Sequence, residues 1–227
     1  MSYSFDFLAV LASWDRLLAG AWLTVQLSAL ATALGFVLGT LGAIGRISRS
    51  GWLRGLVGAY VETIRNTPLL VQVFIVYFGL ASLDFKLSAE AAALITLVIN
   101  IGAYTSEIMR AGIQSIHRGQ IEAAECLAMS RPQIFLHVVL LPAVERVYPA
   151  LSSQFVLLML ASSITSQISV EELTATANLV QSETFRSFEV FGVIAVMYFA
   201  LSVLFRIALR AIGLLAFTRR RKLGTPL

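Results

Sequence analysis

Residues 122–142 read EAAECLAMSRPQIFLHVVLLP, a polar and charged segment set between long apolar runs, and it decides how the rest of the chain is arranged. A chain embedded in lipid seldom interrupts itself this way without a reason, because each charge moved toward hydrocarbon is costly. The pattern predicts a short helix through Glu122, Ala123 and Ala124, a break near Ala128, and a second helix opened by Ser130 and Pro132. Ser130 can cap that second helix through its hydroxyl, and Gln133, three positions on, can return the hydrogen bond. Pro132 falls in a first turn, where its missing N–H has no partner to lose. Two small helices joined at a tight corner form a compact knob of the kind that fits a groove on another protein.

Outward from this knob, composition excludes a soluble domain. Hydrophobic residues make up 58% of the chain, charged residues 13%, and the mean hydropathy is +0.82, values that belong to helical membrane proteins. About 20 apolar residues cross the hydrocarbon layer as a helix. Five stretches are expected to do so, at roughly 17–45, 66–83, 91–109, 147–170 and 190–217, with the polar loop at 118–142 between the third and the fourth. The expected architecture is therefore all-α, one transmembrane domain over residues 1–227. Each span must be helical, because lipid offers backbone groups no partners and an open sheet leaves edges bare. No internal repeat or low-complexity segment divides the chain.

Charge sets the direction. Arg46, Arg49 and Arg54 fall in the first connection, Arg110, Arg118, Arg131 and Arg146 in the third, and Arg219, Arg220, Arg221 and Lys222 in the tail. The opposite side holds Arg16, Lys86 and Arg186 beside the acidic Asp84, Glu171, Glu172 and Glu183. By the positive-inside rule the N-terminus is periplasmic, and the 118–142 loop and the C-terminus are cytoplasmic. The net charge of +4 and pI near 9.6 then reflect orientation and anionic headgroups rather than nucleic acid. The first residues lack a basic n-region and carry Asp6 in their apolar start, so no removable signal is expected. Phe5, Leu8, Leu11 and Trp14 could line an interfacial helix, with an ordinary periplasmic tail as the alternative.

Catalytic chemistry finds no foothold. The only lysines, Lys86 and Lys222, follow no glycine, so there is no phosphate-binding loop of the Walker type and ATP must be handled elsewhere. His117 and His137 flank the corner without a cysteine or carboxylate at metal-ligand spacing. The single Cys126 cannot form an internal disulfide and reads as filler in the first small helix. No metal or cofactor is expected in this chain.

The third apolar run carries Thr96, Asn100, Tyr104 and Glu107 on one helical stripe. A polar stripe in hydrocarbon faces a bundle interior or an aqueous path. Asn100 and Tyr104 are candidates for a translocation path, with interhelical hydrogen bonding as the competing explanation. Glu107 is equally a gate and a salt-bridge partner of Arg110 at i, i+3. The fourth run ends in Ser162, Ser163, Thr165, Ser166 and Gln167, where Ser163 and Thr165 either line a route for a zwitterion or let helices pack closely. Pro68 and Pro149 are expected to start or bend helices, and Glu62 with Arg65 to mark the cytoplasmic entrance of the second run.

Taken together, Glu122–Ala123–Ala124 with Pro142 beyond it, RNTPLLVQ at 65–72, YFGL at 77–80, YTSEIMRAGIQSIHRGQ at 104–120 and FEVF at 188–191 resemble the polar amino-acid (histidine/glutamine type) branch of the ABC importer permeases. The likeness runs from about Leu17 to Phe217. It implies the type I ABC importer permease fold, in which the loop at 118–142 forms coupling helices that dock on an ATPase subunit. Glu122, Ala123, Ala124, Ala128 and Pro142 would belong to that docking surface. It also implies a second permease chain, identical or paralogous, two ATPase subunits that hold ATP and magnesium, a periplasmic substrate-binding protein, and a polar amino acid as cargo. Four departures stand out. Ala128 and Ser169 replace glycines, an extra residue precedes Pro142, and Leu160–Ala161 replaces a Lys-Asp pair. Alanine lacks glycine's freedom at positive φ, so the corner has either ordinary dihedrals or some strain. Two readings from other classes compete with this one: a channel or secondary transporter that needs no ATPase, and a membrane scaffold that recruits one.

Overall fold

The computed structural model describes residues 5–217, and every described regular element is helical. In chain order these are α1 (Phe7–Leu11), α2 (Trp14–Arg46), α3 (Gly51–Arg65), α4 (Leu69–Phe74), α5 (Ala89–Gln114), α6 (Arg118–Cys126), α7 (Arg131–Gln133), α8 (Leu141–Ala161), α9 (Leu173–Thr184) and α10 (Ser187–Ala216). A π-helical segment, Ile75–Gly79, continues α4, another, Ile134–Leu140, joins α7 to α8, and a 3₁₀ segment, Ser162–Ile168, extends α8. The tail arginines 219–221 and Lys222 lie outside the described residues.

Among the described residues four helices are long and apolar enough to cross a membrane, where five were expected: Trp14–Arg46, Ala89–Gln114, the continuous run Arg131–Ile168, and Ser187–Ala216. The run at 66–83 falls short for a stated reason. Pro68 holds φ −62° and ψ 138°, which stops any helix from continuing through it, and the next helix runs only over Leu69–Gly79. Its 6 α-helical and 5 π-helical residues rise about 16 Å, roughly half the hydrocarbon thickness. α3, with 15 residues, lies just before Asn66–Pro68 and is also short of a span by itself.

In the second π segment Leu141 N–H bonds the Leu136 carbonyl, five residues back, the wide turn that can absorb one extra residue in a helix. Past it, α8 proceeds in regular form despite Pro142 and Pro149.

The chain divides into two compact units. The first comprises residues up to Ala33, Thr67–Val98 and Phe155–Arg206, and the second Leu34–Asn66, Ile99–Gln154 and Ile207 onward. In the first, Val10, Leu17, Ala21, Leu173, Ala177, Val180, Val190, Ile194 and Met197 form one buried cluster from α1, α2, α9 and α10. Leu27, Val73, Ala92, Ala93, Ile168 and Val170 form another. Gly20 lets α2 approach the start of α9 so closely that an added Cβ would sit 3.1 Å from the Leu173 Cα. In the second unit Gly39 of α2 meets α5 in the same way, with the Gly102 carbonyl 2.7 Å from where a Cβ would stand. Small residues that let backbones meet are the usual adhesive between helices in lipid, where no hydrophobic force draws helices together.

At Gly39 the obstacles are the Thr105 side chain, at its short β-branched base, and the Gly102 carbonyl, and neither has room to step aside. Gly39→Ala is expected to destabilise by about 1–3 kcal/mol through overpacking, while Gly192→Ala, which meets nothing within 4 Å, should leave stability unchanged or slightly higher. Thermal unfolding of the detergent-purified chain followed by circular dichroism checks both.

Candidate functional site

The knob lies within the second unit and is built from its caps. His117 opens α6, its Nδ1 accepting from Gly119 N–H at 3.1 Å. The helix ends on Ala128, which adopts φ 54°. Met129 N–H reaches back to the Ala124 carbonyl at 3.2 Å and Ala128 N–H to the Glu125 carbonyl at 2.9 Å, the paired bonds of a Schellman ending. Thus the corner is left-handed although alanine stands there, at a cost of about 1–2 kcal/mol. Two residues on, the Gln133 amide oxygen accepts from Ser130 N–H and from Ser130 Oγ, both at 2.9 Å. The return bond from Gln133 expected of a capping pair is therefore made, and the Ser130 hydroxyl also donates to it. Glu122 and Ala123 are exposed on α6, Ala124 is buried at 4%, and Ala128 is exposed. Pro142 is half-buried in the first turn of α8. Leu127, at the tip of the corner, is 77% exposed and was not singled out from the sequence; an apolar residue between a helix end and a left-handed position is the signal that marks it.

The polar stripe separates into parts with different surroundings. In the second unit Asn100 is buried, and Tyr104 is half-buried with the Arg65 guanidinium 5.4 Å above its ring. Glu107 pairs with Arg110, whose Nε lies 3.1 Å from both carboxylate oxygens, and with Arg46 at 3.8 Å. Tyr60 OH donates to the Ile99 carbonyl at 2.7 Å, and Glu62 accepts from Asn66 Nδ2 at 3.3 Å. Ser163 and Thr165 belong to the first unit. Ser162, Ser163, Thr165 and Ser166 each donate their hydroxyl to the carbonyl three residues back, at 2.7–2.8 Å. This serial back-bonding fits the tighter 3₁₀ turn, which ends on Ser169 at φ 65°. Both positions where the resemblance has glycine keep glycine's conformation.

A second polar centre in the first unit was invisible in the sequence, where Glu172 reads as a loop charge. Glu172 is fully buried. Its Oε2 accepts from Tyr198 OH at 2.7 Å and from Thr24 Oγ1 at 3.4 Å, and its Oε1 accepts from Ala175 N–H at 3.0 Å as the cap of α9. Thr24 Oγ1 also accepts from Leu173 N–H at 3.2 Å, and Thr174 Oγ1 meets Tyr198 OH at 2.8 Å. One carboxylate thus ties α2, α9 and α10. Burial pushes its pKa up, and the hydrogen bonds only partly offset this. At the far end of α9, Arg16 holds the exposed Glu183 below its ordinary value through paired hydrogen bonds at 2.6 and 3.0 Å. Among the described residues no group of three or more His, Cys, Asp or Glu is placed to hold a metal ion.

Long apolar helices, a capped polar knob between them and a buried polar stripe define a polytopic membrane permease. The chain belongs to the family of binding-protein-dependent transport system inner membrane components, whose match covers residues 31–214. It is 36% identical over 195 residues to the octopine transport system permease protein OccM of Rhizobium radiobacter, covering 82% of this chain and 80% of that one. It is 34% identical over 209 residues to the glutamine transport system permease protein GlnP of Escherichia coli strain K12, covering 91% and 95%. Among solved structures, an amino acid ABC transporter with histidines superposes with a TM-score of 0.84 at 34% identity, covering 93% of this chain and 99% of that chain. The type I ABC importer permease fold is therefore shared.

Two outcomes test this geometry. Ala128→Gly should raise stability by about 0.5–1 kcal/mol, since glycine's freedom at positive φ outweighs its unfolded-state entropy, read as a higher unfolding midpoint. For Glu172 the raised pKa means that the folded state holds a proton the unfolded state has released. Its contribution is full below the ordinary carboxylate pKa and falls as pH rises through the raised one. Wild type minus Glu172→Gln stability, measured from about pH 4 to about pH 8, should decline with pH. Glu183 acts in the opposite sense at lower pH and cancels in that difference.

Proposed function

We propose that this chain is the permease subunit of an ATP-driven ABC importer that carries a polar amino acid across the bacterial inner membrane. The observation that carries the reading is the exposed Glu122–Ala123 face of α6, ending on the left-handed Ala128, in a chain of this family. The printed names of OccM and GlnP, transport system permease proteins for octopine and glutamine, support an amino acid or its derivative as cargo.

In this reading Glu122, Ala123 and Ala128, joined by Leu127, meet the ATPase, while the buried Ala124 and Pro142 hold the knob's shape. Asn100, Tyr104 and Glu107 of α5 line the path within the second unit. A second copy or a paralogue completes the path, two ATPase subunits bind ATP and magnesium, and a periplasmic binding protein delivers the substrate. The chain itself hydrolyses nothing. Its N-terminus faces the periplasm, and α6 and the C-terminus face the cytoplasm. ATP drives transport only insofar as it binds the outward-facing state better than the inward-facing one, and the knob is where that difference enters the membrane chain.

Reconstituted complex should take up labelled amino acid and lose uptake without ATP. Uptake by this chain alone would instead support a channel or secondary transporter, and ATPase binding without uptake a scaffold. Ala123→Trp, at an exposed position, should leave insertion intact and lower substrate-stimulated ATP hydrolysis about tenfold or more, as expected for a bulky group in a close-packed interface. Unchanged hydrolysis and uptake would remove the knob from the coupling role.

A further inference from the structure

The second unit contains a cavity of about 500 Å³ lined by Arg46, Gly51, Arg54, Gly55, Gly58, Ala59, Arg110 and Gln114. Three guanidiniums converge on it. Glu107, which pairs with Arg110 and Arg46, neutralises one, so the cavity keeps a surplus of positive charge. Arginine's planar fork matches phosphate oxygens in pairs. The floor is made by absent side chains: a Cβ added at Gly51 or Gly55 meets nothing within 4 Å, while Arg46 lies across Gly58, with Nη1 2.5 Å from where a Cβ would be. Gly51, Gly55 and Gly58 fall on one face of α3 by helical spacing. Ser50 caps this end, its Oγ accepting from Leu53 N–H at 3.5 Å, so the positive end of the helix points the same way as the arginines.

The flanking face of α3 says what kind of phosphate fits. Trp52 is 77% exposed and Leu56 54% exposed, and at about 100° per residue they flank the glycine floor on one side of α3. Each is thus about a quarter turn round from the glycine that precedes it, and Leu53 and Val57 take the opposite side, against Gly45 of α2. A helix with an apolar flank carrying tryptophan and a basic, glycine-floored pocket next to it suits a molecule that is anionic at one end and apolar at the other. A soluble phosphate would use the arginines and leave Trp52 and Leu56 in water. We propose that this cavity holds the phosphate of an anionic phospholipid headgroup, with the acyl chains running along Trp52 and Leu56. The site is independent of which substrate the chain carries.

The test uses the full chain with Trp14→Phe and Trp22→Phe, which leaves Trp52 as the sole indole, in phosphatidylcholine nanodiscs doped with acyl-brominated phosphatidylglycerol. Brominated phosphatidylglycerol should quench Trp52 at a lower mole fraction than brominated phosphatidylcholine. Arg54→Gln should weaken that preference about fivefold, the effect of one arginine near an anionic surface. At Gly55 an added Cβ meets nothing within 4 Å, so Gly55→Leu, which projects into the cavity, should abolish the preference while helicity stays unchanged. Inorganic phosphate at constant ionic strength should not displace the lipid. Equal quenching by the two lipids, a preference that survives both substitutions, or displacement by inorganic phosphate would each overturn the assignment.

Discussion

A chain that crosses hydrocarbon must satisfy its own backbone, and the burden falls on helix ends, where the last carbonyls lose their partners. Here four described non-glycine residues take a positive φ: Asp84, Ala128, Ser169 and Phe185. Each sits just past a helical stretch. After Asp84, Ala128 and Ser169 the same pair of backward bonds recurs, from Phe85 to Leu80 and Asp84 to Ala81, from Met129 to Ala124 and Ala128 to Glu125, and from Val170 to Thr165 and Ser169 to Ser166. Phe185 closes α9 with a single bond to Gln181 at 2.8 Å. Satisfying the carbonyls outweighs the local steric cost, and that balance sets where these four connections turn.

Several polar residues obey the same rule, although the buried hydroxyls of Ser28, Thr32, Thr105 and Ser106 have no protein partner. Hydroxyls that would be orphaned in an apolar surround bond their own helix: Thr24 to Gly20, Thr40 to Phe36, Thr96 to Ala92. Charged groups are paired or capped. Glu107 sits between two arginines, and the fully buried Glu189 accepts from Asp6 N–H at 3.0 Å and faces Arg186 at 3.6 Å. In this way the N-terminal segment is fastened to α10 by backbone as much as by the Phe5–Phe188 ring contact at 5.4 Å.

Much of this was legible in the residues. Apolar length announced the long helices, and Ser130 with Gln133 announced the second half of the knob. Ala128 marked a corner, but only its dihedral decides between an ordinary turn and a strained one, and sequence carries no dihedral. Hydropathy counts the apolar residues of 66–83 without noticing that Pro68 moves the helix start and leaves only the short helix Leu69–Gly79 as the apolar stretch. Glu172 was read as a loop charge because a Glu-Glu pair before Leu173 looks solvated. What buries it are Thr24 and Tyr198, 148 and 26 positions away, beyond any local pattern. Ser163 and Thr165 stand out in the sequence, yet the direction of their hydroxyls, back onto their own helix, shows only in the structure.

The wide turn at Ile134–Leu140 has a consequence for the lineage of such chains. A residue gained in an ordinary helix rotates everything downstream by about 100° and would swing the whole apolar face of α8 away from its neighbours. A residue added within a wide coil would be absorbed there, so that Tyr148, Leu151 and Phe155 would stay buried. Such a segment can act as an expansion joint, letting the exposed knob before it differ in length while the register of α8 stays fixed.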